Sequence, residues 1–145
     1  MVTYYLRKNA RWHDGEAFDA DDVIFSREAL QNPSYTTSKV RTSFRDAEKL
    51  EKVDQYTVRM TWKKVYFNAV GVMNGLPIMP KHVFEKDKTD FNKHPYHRAP
   101  VGTGSYVFSE WKTGNYIELK RNKDYWGKDL KDPPFAYPKP SIDTL

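Results

Sequence analysis

The chain has 145 residues, a net charge of +5 at pH 7, no cysteine, 39% hydrophobic and 15% aromatic residues, and a mean hydropathy of −0.83. That length is enough for one ordinary domain with a real core. The missing cysteines exclude a disulfide framework, a thiolate nucleophile and Cys-type zinc, and no apolar run approaches the ~20 residues needed to cross a bilayer.

In chain order, "VTYYLR" alternates like a strand, with Val2, Tyr4 and Leu6 on one face. The chain therefore reads as beginning inside a structural element, with no leader peptide. "RWHDGEAF" carries an Asp14-Gly15 turn. "DADDVIFSREALQNP" predicts a helix capped by Asp19, with acid in its first turn and Pro33 past its end. Ala20, Val23, Ile24 and Leu30 share one face and Phe25 and Ala29 lie on the other, the pattern of a helix sandwiched between layers. Residues 34–45 are polar and aperiodic and read as a loop with at most a helical turn. "VDQYTVRMTW" shows the clearest alternation, Tyr56, Val58, Met60 and Trp62 against Thr57, Arg59 and Thr61. "VYFNAVGVMNGL" predicts a short helix broken near Gly71 and Gly75, and "PIMPKHVFEKD" an extended lead into a helix with Pro80 at its first position. The charged, proline-punctuated stretch 87–100 is the expected boundary between two substructures. "GSYVFSEWKTGNYIELKRN" predicts a hairpin turning at Thr113-Gly114-Asn115. The segment "DYWGKDLKDPPFAYPKP" returns to loop character, and a new strand could start after it. Strands mixed with helices without a βαβα rhythm give a mixed α/β (α+β) class, and both ends read as those of a fragment.

The acid-rich segment "RWHDGEAFDADDVIFS" invites a metal or acid/base reading, but its carboxylates follow neither a Ca²⁺ loop nor an H-E-x-x-H pairing. A turn, a cap and dipole partners account for nearly every one of them. Pro95 keeps His94 and His97 off one helical face, and no carboxylate cluster accompanies them. "PVGTGSY" lacks the Gly-Lys-Ser/Thr ending of a phosphate loop and runs into a strand; no G-x-S-x-G is present. Trp12, Tyr35, Trp62, Trp111, Tyr125 and Trp126 could line a cleft, most of them better suited to packing. Tyr35 is the one least explained by packing. Basic residues are interspersed with acids: residues 1–32 hold four basic and six acidic, residues 81–145 twelve and nine. A phosphate-tracking stripe should be poor in acids, so a basic, aromatic-rich nucleic-acid-binding module stands only as the alternative, followed by a metal-dependent hydrolase.

Three blocks in order, "YYLRKNARWHDGEAFDADDVIFS", "VDQYTVRMTW" and "PVGTGSYVFSEWKTGNYIELKRNKDYWG", resemble the family 5 bacterial extracellular solute-binding proteins, the peptide- and nickel-binding components of ABC importers. Asp19 stands where the family usually has Thr, and Ser105 where it has Pro; Asp caps as well as Thr. The resemblance implies a fragment of a type II periplasmic-binding fold. It implies an accessory lobe over residues 1–90 and the beginning of a principal ligand-binding lobe over 91–145. It further implies short peptides or a related small solute as ligand, a membrane permease as partner, a periplasmic or membrane-anchored extracellular location, and neither catalysis, cofactor nor metal. Ligand contacts carry over only to Tyr35, Thr36 and Thr37, in the loop after the Asp-Val helix; the family's ligand-anchoring acid lies further downstream.

Overall fold

The structure, a computed structural model, describes residues 1–65, 67–130 and 140–145. It divides into two compact units, residues 1–8 with 19–92, and residues 9–18 with 93–145.

The first unit is built on a three-stranded antiparallel sheet in the order β1-β3-β2, with β1 Val2–Tyr5, β2 Ala47–Asp54 and β3 Thr57–Trp62. In the central strand Val58, Met60 and Trp62 are buried on the face read from the alternation. The register sets Val2 opposite Met60 and Tyr4 opposite Val58. The strand begins later than its alternation suggests. Val53 and Asp54 close β2, and Tyr56 sits in the connecting turn, where Asp54 Oδ1 accepts its N–H at 2.8 Å. β2 itself, "AEKLEKVD", was invisible to periodicity: its backbone pairs with β3 while most of its charged side chains face water. A charged edge of this kind discourages pairing with other chains.

Helix α1, Ala20–Gln31, starts at the predicted Asp19 cap. Asp19 accepts from Asp21 N–H at 2.8 Å, and Asp22 reaches back to Asp19 N–H at 3.1 Å, a reciprocal capping box. The buried side differs from the apolar pattern. Asp22, Ser26 and Arg27 are buried with Ala20, Val23, Ala29 and Leu30, whereas Ile24 and Phe25 are half-buried. The polar members are buried because they bind backbone groups of other segments. Asp22 Oδ1 accepts from Lys81 N–H at 2.9 Å and Ser26 Oγ from Met79 N–H at 2.8 Å, while Ser26 donates to Asp22 O at 2.6 Å. These bonds tie α1 to the extended lead into α4, Lys81–Lys86, with Pro80 at its N-cap. Between lie α2, Ser38–Ser43, longer than the single turn expected, and α3, Ala69–Asn74, which runs through Gly71 and stops at Gly75. Tyr66, in the stretch read as the start of α3, is outside the described residues.

The second unit carries the hairpin β4 Tyr106–Lys112 and β5 Tyr116–Arg121. Its turn has Gly114 at φ +77°, a conformation that costs glycine nothing and a side-chain-bearing residue dearly. The segment after the proline-rich stretch adds to β5: Leu119 and Leu145 exchange N–H···O bonds at 2.9 Å, and Arg121 N–H donates to Asp143 O at 2.8 Å. Residues 131–139 of the stretch read as loop lie outside the described residues. Trp12 and Tyr125 are buried in this unit, with Phe18 packed against Trp12 at 5.8 Å between ring centroids.

Candidate functional site

The loop after α1 is fixed from three directions. Asn32 closes the helix, its N–H bonding Glu28 O and Ala29 O, and its side-chain oxygen accepts Ser34 N–H at 2.9 Å. Arg41, one turn into α2, spends Nε on Leu30 O at 2.9 Å and Nη2 on Asn32 O at 2.8 Å, Tyr35 O at 3.0 Å and Thr37 Oγ1 at 3.1 Å. One guanidinium therefore satisfies the carbonyls left over at a helix end and holds the loop that follows. From the far side of the sequence, Asn92 presents both halves of its amide. Its Oδ1 accepts Thr36 N–H at 2.9 Å and its Nδ2 donates to Ser34 O at 2.9 Å, so it pairs with the loop as a neighbouring strand would.

Tyr35 is half-buried and lies flat on Phe91, with ring centroids 4.1 Å apart and planes 8° from parallel. The stack continues through Phe84, 5.3 Å from Phe91, to Phe25 of α1, 5.5 Å further on. Packing thus explains one face of Tyr35, while its hydroxyl makes no hydrogen bond among the described residues. Thr36 is exposed, and among the described residues it bonds through its backbone N–H. Thr37 spends its hydroxyl on Leu30 O at 3.1 Å, which makes it a fastener of the loop. Arg41, Phe91 and Asn92 were not singled out from sequence. Nothing local marks them, because their partners lie 4 to 58 residues away.

The aspartates of the acid-rich segment, with His13 and His94, make structural contacts. Gly15 turns at φ +94° and Asp14 Oδ1 accepts Glu16 N–H at 3.3 Å. Asp19 and Asp22 cap α1, and Asp21 pairs with Lys52 at 2.7 Å. His13 clamps the "PVGTG" segment. Gly102 N–H donates to its Nδ1 at 3.2 Å, its Nε2 lies 3.0 Å from Gly104 O, and His13 N–H donates to Gly102 O at 2.8 Å. That network assigns the neutral ring with its proton on Nε2. A Cβ on Gly102 would stand 3.2 Å from His13 Cε1, so the approach favours glycine there. His94 Nδ1 accepts Tyr96 N–H at 3.1 Å. Among the described residues no group of three or more His, Cys, Asp or Glu could hold a metal ion.

Residues 1–141 match the family model described as bacterial extracellular solute-binding proteins, family 5 middle. A binding protein of Brucella melitensis is 32% identical over 134 residues, covering 89% of this chain and 20% of that protein. The oligopeptide-binding protein AppA of Bacillus subtilis is 30% identical over 131 residues, 83% of this chain and 23% of that protein. Among solved structures, NikZ from Campylobacter jejuni in complex with Ni(L-His) aligns with a TM-score of 0.76 at 35% identity, covering 86% of this chain and 24% of that one. The fold is thus that of the periplasmic binding proteins, and the chain spans roughly a fifth to a quarter of the length of the relatives it matches.

Proposed function

Because the chain belongs to the family 5 bacterial extracellular solute-binding proteins, we propose that it is part of a protein that captures short peptides, or a related small solute, and delivers them to the membrane permease of an ABC importer without catalysing a reaction. In this reading the protein works in the periplasm or on the outer side of a membrane. In the same reading residues 1–90 form an accessory lobe and residues 91–145 begin a principal ligand-binding lobe; the compact units divide the chain differently, residues 9–18 going with 93–145. Matching nearly the whole chain to one binding-protein family leaves the nucleic-acid alternative without support, and the intermixed charges noted above already spoke against it.

The observation that carries the peptide reading is the fixed loop 34–37. Arg41, Asn92 and Phe91 hold its backbone and one ring face, so the Tyr35 and Thr36 hydroxyls are presented at little further cost in entropy. Tyr35, Thr36 and Thr37 are the proposed ligand contacts, Thr37 chiefly through the loop shape it maintains. Calorimetric titration of the complete protein with a library of di- to pentapeptides, and separately with Ni(L-His), tests the assignment. Saturable peptide binding weakened about tenfold by Tyr35→Ala is expected. Peptide binding unchanged by that substitution would remove Tyr35 from the site, and a response to Ni(L-His) alone would replace peptide by metal chelate as the ligand.

A further inference from the structure

Arg27 presents a problem that the peptide reading does not touch. The residue is only 6% exposed. Its Nη2 makes two long contacts, 3.5 Å to Phe44 O and 3.4 Å to Ala47 O, and its guanidinium lies 5.4 Å from the Phe44 ring centroid. Nη1 is buried with no hydrogen-bond partner, and no ion pair is formed by Arg27 among the described residues. A buried guanidinium without a carboxylate is expensive, and burial pulls its pKa down accordingly. Glu28 and Glu48 border a neighbouring cleft that Arg27 also lines, yet neither pairs with it.

Arg27 also lines an open cleft of about 430 Å³ with Gln31, Arg41, Thr42, Phe44 and Arg45. No carboxylate belongs to that lining, and three of the six residues are arginines. Arg41 spends Nε and Nη2 on backbone and on Thr37, which leaves Nη1 unspent among the described residues. Arg45 is held only by its sequence neighbour Asp46 at 3.6 Å, and its side chain is 77% exposed. All six residues fall in the first compact unit. We propose that this cleft is an oxyanion site, taking a carboxylate- or phosphate-type anion between Arg41 and Arg45 over the buried charge of Arg27. Guanidinium forks match the paired oxygens of such anions, and the bound charge supplies the counter-ion that Arg27 lacks. The site shares Arg41 with the anchoring of the peptide loop, but neither Tyr35 nor Thr36 lines it.

The test is calorimetric titration of the 145-residue chain with inorganic phosphate and with glutarate, each against chloride at matched ionic strength. Saturable binding of either anion beyond chloride is expected: phosphate alone marks a phosphate group as the ligand, glutarate alone a carboxylate. Arg45→Gln, at an exposed position where folding is undisturbed, should weaken that binding about fivefold. Arg27→Met should weaken it about tenfold without lowering the thermal midpoint in chloride, because it deletes an unpaired buried charge. Absence of binding by both anions, or equal binding by the parent and Arg45→Gln, overturns the proposal. Should Arg27→Met fail to fold, Arg45→Gln decides alone.

Discussion

Three aspartates in this chain are spent on backbone amides. Asp19, Asp22 and Asp54 each accept at least one N–H, and each bond fixes the start or turn of an element. Asp19→Ala should therefore cost about 1 kcal/mol in chemical denaturation, with Asp19→Asn close to the parent. Asp54 adds a pH dependence. The Tyr56 amide, then the Thr57 hydroxyl, hold its carboxyl below the usual range, with Lys8 adding a weaker attraction. A depressed native pKa means that stability is present above the unfolded value, near 4, and lost as the pH falls through the native one. Asp54→Asn should accordingly flatten the acid side of the stability profile below about pH 4; an unchanged acid slope in equilibrium unfolding would refute this. The Asp19 cap was readable in the sequence because its geometry is local, the partners lying two and three residues away. The loop anchors Arg41 and Asn92 were not, since Asn92 reaches back 56 and 58 residues to Thr36 and Ser34.

Elements followed the same division between local and distant causes. The β4–β5 hairpin was legible from two alternating runs around Thr113-Gly114-Asn115, and the structure places its positive φ at Gly114. Gly114→Ala should destabilise the chain by about 1 kcal/mol, through strain at the turn; circular dichroism melts would register it as a lower midpoint, with no such loss at Gly104, whose φ is not positive. β2 was missed because a one-sided edge strand shows charge where periodicity looks for apolar residues. The face of α1 was misread for a related reason. Hydrophobicity registers side-chain transfer from water, whereas Asp22 and Ser26 are drawn inside by amides at Lys81 and Met79. A helix joined to its neighbour by such bonds has a weak apolar stripe and a firm position.

At the scale of the whole molecule, the proposed function sets the ligand between two lobes, of which these 145 residues would supply at most one. The isolated chain should bind short peptides weakly, because half a cleft recovers little of the roughly 4 kcal/mol or more lost on association. Titration with a mixed peptide library would contradict this by giving low-micromolar saturation. The order in which the chain is made also matters. The first eighteen residues serve both compact units: β1 must wait for β3, and His13 must wait for Gly102, 89 residues later. At a ribosomal pace of about 5–20 residues per second, the histidine is synthesised roughly 4–18 s before its partner exists. During that interval residues 9–18 are a loose thread, open to proteases and to pairing with other nascent chains, and the arrival of the "PVGTG" segment sews them in.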